Sequence, residues 1–211
     1  FTFTEVPIGF TLNSLNVTGG VLSGLTGSGT SYSATFTPTV NSNTAGSVSF
    51  KTNSYKDSAN NFGSVATLAP VISVDTLRPL APVVVLASDT GISATDKVTK
   101  AGIVTVSGIE ANATWEFSND NGFNYSTGPN NFTFAFINDG AKWLFTRQTD
   151  AAGNLGPVNQ FSFTLDTVAP VIPTLALNTD TGVSALDKIT KDGKIIVTGL
   201  ESTAGFEYSL N

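Results

Sequence analysis

The residues in this sequence with the means to do chemistry are carboxylates and their amide neighbours, set at recurring places. Asp75 and Asp166 each precede a threonine, Asp89 and Asp96 flank one loop, Asp150 and Asn154 lie four residues apart, and Glu110 stands between them. Oxygen donors of this kind suit a hard cation. Ca²⁺ takes six to eight oxygens from carboxylates, amides and carbonyls, and relieves the repulsion between clustered aspartates. The same residues have a second chemistry. Asp and Asn close turns on their own backbone, and a glycine beside them supplies positive φ. Asp150-Ala-Ala-Gly-Asn154 and Asp89-Thr-Gly91 read either way, and the sequence leaves both open. There is no consensus EF-hand loop to decide between them.

Composition removes most other chemistries. The 211 residues include no His, no Cys and no Met. Zinc and copper lose their usual ligands, Ser–His and Cys–His nucleophile pairs are impossible, and no disulfide can form. Carboxylates, Lys and Tyr remain, without a catalytic cluster, so the expectation is a protein that is not an enzyme. The net charge of −6 and the pI near 4.4 leave no basic face for phosphates, so no nucleic-acid partner is expected. No apolar run reaches the roughly 18 residues of a membrane-spanning helix, so membrane insertion is not expected either. No signal peptide is visible. The chain opens and closes inside strand-like sequence and reads as an internal piece of a longer protein.

The elements that must hold these residues show themselves as a repeat. Val74–Ser118 aligns without a gap on Leu165–Ser209, with Asp75 against Asp166, a period of 91 residues and identity at roughly half the positions. That period is too long for a solenoid coil and suits a whole immunoglobulin-like sandwich of roughly 100 residues. Thr52–Gly63, TNSYKDSANNFG, echoes Thr146–Gly156, TRQTDAAGNLG, and pairs Asp57 with Asp150 and Asn61 with Asn154. Three domains follow: 1–75, diverged and apparently without its first strand; 76–166, complete; and 167–211, the first strands only. Pro79, Pro82, Pro170 and Pro173 follow the Asp-Thr pairs, and predict short, stiff linkers leading into edge strands.

Period-two alternation of β-branched and aromatic residues fills the chain, and turn dipeptides such as Asn121-Gly122 and Asp139-Gly140 punctuate it. The fold class is all-β: tandem immunoglobulin-like β-sandwich domains joined by short Pro-containing linkers. In the middle domain the pattern predicts strands over 83–87, 103–107, 114–117, 132–136, 143–148 and 158–165. Val104, Val106, Trp115, Phe117, Leu144, Phe161 and Phe163 are expected in the core.

The VDTLRP and LDTVAP linkers, the DTGISATDKVTKAG and DTGVSALDKITKDG stretches, and the QTDAAGN loop together resemble bacterial immunoglobulin-like repeats. Such repeats build giant surface adhesins, including the repeats-in-toxin type exported by type I secretion. The resemblance implies an extracellular, bacterial cell-surface rod, often calcium-stiffened, that serves cell adhesion or biofilm formation through a tip outside this fragment. Its partners would be the neighbouring domains of the same chain, with a host or surface ligand bound elsewhere. In an immunoglobulin topology, Asp75 of one linker lies near Asp150 and Asn154, with Glu110 also in reach. At the opposite pole Asp89 and Asp96 approach Asp166, and Glu201 would come from the third domain. Structural Ca²⁺ at these junctions is expected, and related adhesins carrying calcium in such places support it by resemblance only.

The aromatics add one alternative. Trp115 alternates with Phe117 and reads as core, whereas Trp143 and Phe145 point outward if Leu144 points in. Exposed aromatics on a sheet can stack on sugars, although most pack under a neighbouring loop. A carbohydrate-binding or accessory module of a secreted hydrolase or phage tail protein is therefore the competing function.

Overall fold

A computed structural model describes residues 1–64, 67–202 and 204–209, with side chains at all of these except 67–70. The chain is all-β, as its alternation demands. The first segment has a 3₁₀ turn at Leu12–Ser14 and strands β1 (Leu15–Thr18), β2 (Gly20–Ser28), β3 (Ser31–Pro38), β4 (Gly46–Phe50) and β5 (Thr67–Ile72). One sheet runs β1-β4-β5, and β2 pairs with β3 as a hairpin. An isolated bridge joins Thr2 to Ser31, so the residues expected to follow a missing strand lie along the start of β3. Aromatic rings fill this core. Phe3 meets Phe10 edge-on at 4.9 Å between centroids, and Phe50 lies 5.2 Å from Tyr55. Such edge and tilted pairings place ring hydrogens against neighbouring π faces.

The middle domain contains β6 (Val83–Leu86), β7 (Val98–Thr99), β8 (Ile103–Ser107), β9 (Thr114–Ser118), β10 (Ser126–Thr127), β11 (Thr133–Ala135), β12 (Gly140–Thr149) and β13 (Asn159–Leu165). They form two sheets, β11-β8-β6 and β10-β9-β12-β13-β7. Two sheets facing each other across alternating inward residues are the immunoglobulin-like sandwich. All six strands read from the alternation are present, within three residues at each end. The segment 88–102, expected as a plain loop, instead crosses between sheets. Its Val98–Thr99 runs parallel to Thr164–Leu165 as β7. A two-residue strand carries too little alternation to be legible, and β10 was missed for the same reason.

The core consists of Val84, Val104, Val106, Trp115, Leu144, Phe163 and Leu165, with Phe117 and Phe161 partly buried against it. All seven residues expected there are in this cluster. The indole of Trp115 is seated on a glycine: a Cβ placed on Gly128 would lie 1.9 Å from the ring, so no larger residue fits without moving the indole. The prolines expected in a short, stiff linker leading into an edge strand are packed into this domain. Pro79 and Pro82 are fully buried, and Gln148 Nε2 donates to the Leu80 carbonyl between them at 2.8 Å.

Strands β14 (Thr174–Leu177) and β15 (Ile195–Thr198) repeat the β6–β8 pair. Among the described residues no second sheet covers them. Ile195 is 56% exposed, whereas Val104, one period earlier, is completely buried. The same local sequence makes the same strand pair, and only the opposing sheet makes it a core.

Candidate functional site

The acidic residues fall into two groups, at the two ends of the middle domain. At the incoming end, β12 leads into the turn Asp150–Asn154. Asp150 Oδ1 accepts the N–H groups of Ala152 and Asn154 at 2.9 and 2.8 Å, and Oδ2 accepts Asn154 Nδ2 at 2.8 Å. Gly153, at φ 92, makes the reversal possible. The Asn154 side chain, with the backbone N–H groups, holds the Asp150 carboxyl below the usual carboxylate range. Asn154 Nδ2 also donates to the Asp75 carbonyl at 3.1 Å. Asp75 Oδ1 in turn accepts Leu77 N–H at 3.1 Å. Asp75 and Asp150 are therefore both joined to Asn154, Asp75 through its backbone carbonyl and Asp150 through its carboxylate, whose two oxygens are both taken by N–H donors.

Glu110 is placed differently. Its backbone N–H donates to Gln148 Oε1 at 2.9 Å, while the side chain is exposed and touches neither Asp75 nor Asp150 through a hydrogen bond. The fully buried Gln148 is the organising group that sequence reasoning passed over. It also donates to the carbonyls of Leu80 and Gly108, at 2.8 and 2.9 Å, tying the domain entry to the ends of β8 and β12.

Both Asp-Thr pairs are latched to the preceding unit. Thr76 Oγ1 donates to the Thr39 carbonyl at 2.6 Å and accepts Ser42 N–H at 3.0 Å. Thr167 donates to Asp139 Oδ1 through both its N–H and its hydroxyl, at 3.0 and 2.7 Å. The Asp75-Thr76 joint is thus gripped from both sides within two residues.

The outgoing end leaves more oxygens free. Asp96 and Asp166 line one hollow of about 340 Å³ together with Thr90, Thr99 and Lys100. Asp96 Oδ1 accepts Val98 N–H and Asp166 Oδ1 accepts Val168 N–H, each leaving Oδ2 without a protein donor among the described residues. Asp89 borders a separate hollow beside Lys97 and Phe161. Its Oδ2 accepts Lys97 N–H at 3.0 Å, and its Oδ1 is shut from solvent with no partner. One period later Asp180 repeats this: Oδ2 accepts Lys188 N–H at 3.0 Å and Oδ1 is again orphaned. A buried carboxylate oxygen without a donor is costly unless a proton or a cation sits on it. Glu201 is exposed, and its backbone carbonyl accepts the Ala204 N–H.

Among the described residues, no three acidic side chains come close enough to hold a metal as a set. The fit to Ca²⁺ therefore differs at the two ends. At the incoming end three N–H donors hold the Asp150 carboxylate, and Asp75, whose Oδ2 has no protein donor among the described residues, has no second carboxylate with a donor-free oxygen beside it, so the fit is poor. Asp96 and Asp166 share one hollow, each keeps an unclaimed oxygen, and they fit, provided carbonyls, hydroxyls and water complete a shell of six to eight; Asp89, expected with them, borders a different hollow.

The same turn chemistry occurs twice more. Asp57 grips Ala59, Asn61 and the Asn61 amide as Asp150 grips its own turn, and Asp120 grips Asn124. The four-residue Asp-to-Asn spacing is the signal, and at Asp120–Asn124 it went unread. The Asn124 backbone N–H, followed by the Ser118 hydroxyl and the Asn124 amide, pulls the Asp120 carboxyl down to about 2. A folded-state pKa below the ordinary 3.8 stabilises above the unfolded value, and the contribution fades as pH falls from near 4 towards 2. Titration of side-chain carboxyl carbons by NMR should therefore place Asp120 near 2, with the turn still closed at pH 3. A midpoint near 4 would mean the turn is open in solution.

Of the two tryptophans, Trp115 is 4% exposed in the core and Trp143 is 44% exposed on the outer face of the five-stranded sheet. Residues 1–74 match the family model of a bacterial Ig-like domain. Domains of that kind are typically extracellular or surface-exposed. No curated protein matches the chain. No helix among the described residues is long and apolar enough to cross a membrane.

Proposed function

We propose, taking residues 1–74 as a bacterial Ig-like domain and the sandwich that follows as its neighbour, that this chain is a structural spacer of an extracellular bacterial adhesin. It is a non-catalytic run of modules that carries a binding tip away from the cell, in the service of adhesion or biofilm formation, with export by type I secretion. The observation that carries this reading is the Asp75-Thr76 joint. Thr76 is fastened to residues 39 and 42 and the Asp75 carbonyl to Asn154, which leaves the junction few free torsions. A short joint bonded on both sides transmits orientation, which a flexible Gly/Ser tether does not.

Calcium belongs to this proposal at the outgoing end, on Asp96 and Asp166, and not at the Asp150 turn. Extracellular calcium modules bind with Kd on the order of 10⁻⁴–10⁻³ M. At 10 mM Ca²⁺ such a site stabilises by about 1.4–2.7 kcal/mol through mass action. Titrating the full chain with CaCl₂ should move the backbone amide signals of residues 89–99 and 166–168 and leave 150–154 in place. Asp166→Asn should abolish the movement. Small-angle scattering of the same samples should show an extended particle in calcium and in chelator, with a narrower spread of shapes in calcium. Silence of 89–99 would remove calcium from the proposal, and a compact particle in both conditions would remove the spacer.

One observation favours the alternative of a carbohydrate-binding or accessory module of a secreted hydrolase or phage tail protein: the exposure of Trp143.

A further inference from the structure

On β12, period-two alternation sends Leu144, Thr146 and Gln148 into the core and Trp143, Phe145 and Arg147 outward. Trp143 stands opposite Ser162, Phe145 opposite Gln160 and Ser118, and Arg147 opposite Glu116. Arg147 is fixed, with its guanidinium 3.7 Å from the centre of the Tyr125 ring and Nε donating to Glu116 at 2.8 Å. Phe145 lies close to Gly122, on the loop that carries Tyr125. The three outward side chains thus begin in a covered, locked end and finish in a bare indole.

The sandwich does not need that indole. Aligned on the buried Phe50 and Leu144, the first segment has Ser49 where the middle domain has Trp143, and Lys51 where it has Phe145. A scaffold that accepts serine at this place gives no structural reason for an exposed tryptophan. Exposed single apolar residues are ordinary, but a large aromatic beside a polar hollow is informative. Trp143 borders such a hollow, of about 270 Å³, with Asp96, Lys97, Lys142, Ser162 and Thr164 around it.

We propose that Trp143 and this hollow form a binding platform for a neutral oligosaccharide. A sugar ring offers an apolar C–H face for the indole and a rim of hydroxyls. Ser162, Thr164 and Asp96 accept from those hydroxyls, and Lys142 donates to them. Tryptophan supplies broad, rigid contact area at a small cost in conformational entropy. Of the charged lining, Lys97 lies over the Phe161 ring, which leaves Asp96 and Lys142 as a balanced pair beside the indole and suits a hydroxyl-dense ligand without net charge. Stacked nucleic-acid bases would use the same indole but need a positive track for phosphates, and the chain carries −6 overall. The platform does not rest on the spacer reading, and it shares Asp96 with the calcium site proposed above.

The test is retention of the full chain on an array of neutral and acidic oligosaccharides of three to six sugars, followed by titration of the best binder. Trp115 is buried and Trp143 exposed, so a blue shift confined to the exposed emission should report binding at the platform. Trp143→Ser, the residue the first segment already carries there, should fold normally and weaken binding at least about tenfold, since it removes the main contact area. Trp143→Phe should weaken it less. Retention of no glycan on the array overturns the proposal, and so does binding that Trp143→Ser leaves intact. Sedimentation showing self-association that Trp143→Ser abolishes and glycans do not compete would assign the face to a second copy of the chain instead.

Discussion

Gln148→Leu is expected to lower the melting temperature of the middle domain by at least about 6 °C. Leucine has nearly the same volume, so the sandwich keeps its shape and loses only the amide. Three backbone groups are then stranded: the Glu110 N–H and the carbonyls of Leu80 and Gly108. Leu80, Gly108 and Glu110 are exposed residues and these bonds are only partly buried, so water takes up part of the loss; at a net of about 0.5–1.5 kcal/mol per bond, three come to roughly 1.5 kcal/mol at the low end. For a domain of about 90 residues, each kcal/mol moves the midpoint by about 4–8 °C. Both tryptophans of the chain lie in this domain, so their fluorescence follows its unfolding separately from the rest. Gln160→Leu, at an exposed position on β13, is the control and should change the midpoint little. Equal effects at the two positions would mean that the Gln148 contacts are not formed in solution.

What the sequence carried and what it withheld follow from the range of the interactions involved. Period-two alternation is written in neighbouring residues, so Val104, Trp115, Leu144 and Phe163 were assigned to the core correctly, and strand ends were close. The 91-residue period found the β14–β15 pair by its likeness to β6–β8. Gln148 was illegible because its three partners lie 38, 40 and 68 residues away, and nothing local distinguishes it from a surface glutamine. The burial of Pro79 and Pro82 was hidden for the same reason, and the residues looked like linker because proline usually punctuates. Among the acidic residues, Asp75 meets Asn154 and Asp96 shares a hollow with Asp166, whereas Glu110 and Asp89, expected with them, stand apart. Sequence reasoning could not rank the two ends. The difference lies in which carboxylate oxygens are already filled by N–H donors, and that depends on turn geometry as much as on residue type.

Leu144→Ala should destabilise the middle domain by about 2–5 kcal/mol, the range for emptying a fully packed leucine site. Leu144 has no exposed surface and sits among Val104, Trp115 and Phe163, from both sheets, so the cavity cannot close by a local shift. Chemical denaturation followed by tryptophan emission gives the number, and an unchanged denaturant slope identifies it as a loss of native packing. The informative comparison is Trp143→Ser, one residue away on the same strand, which should cost clearly less, about 1 kcal/mol, because it alters the outer face, where the indole is 44% exposed. A strand has period two, so a register slip of one residue would exchange the two faces along all of β12. The costs of the two substitutions would then be reversed, Gln148 would lose the Leu80 and Gly108 carbonyls, and Trp143 would enter the core. One pair of unfolding curves thus tests the fold, the polar lock and the exposed platform together. If Leu144→Ala is costly and Trp143→Ser is not, the large aromatic contributes little to holding the sandwich, and the glycan titration decides its use.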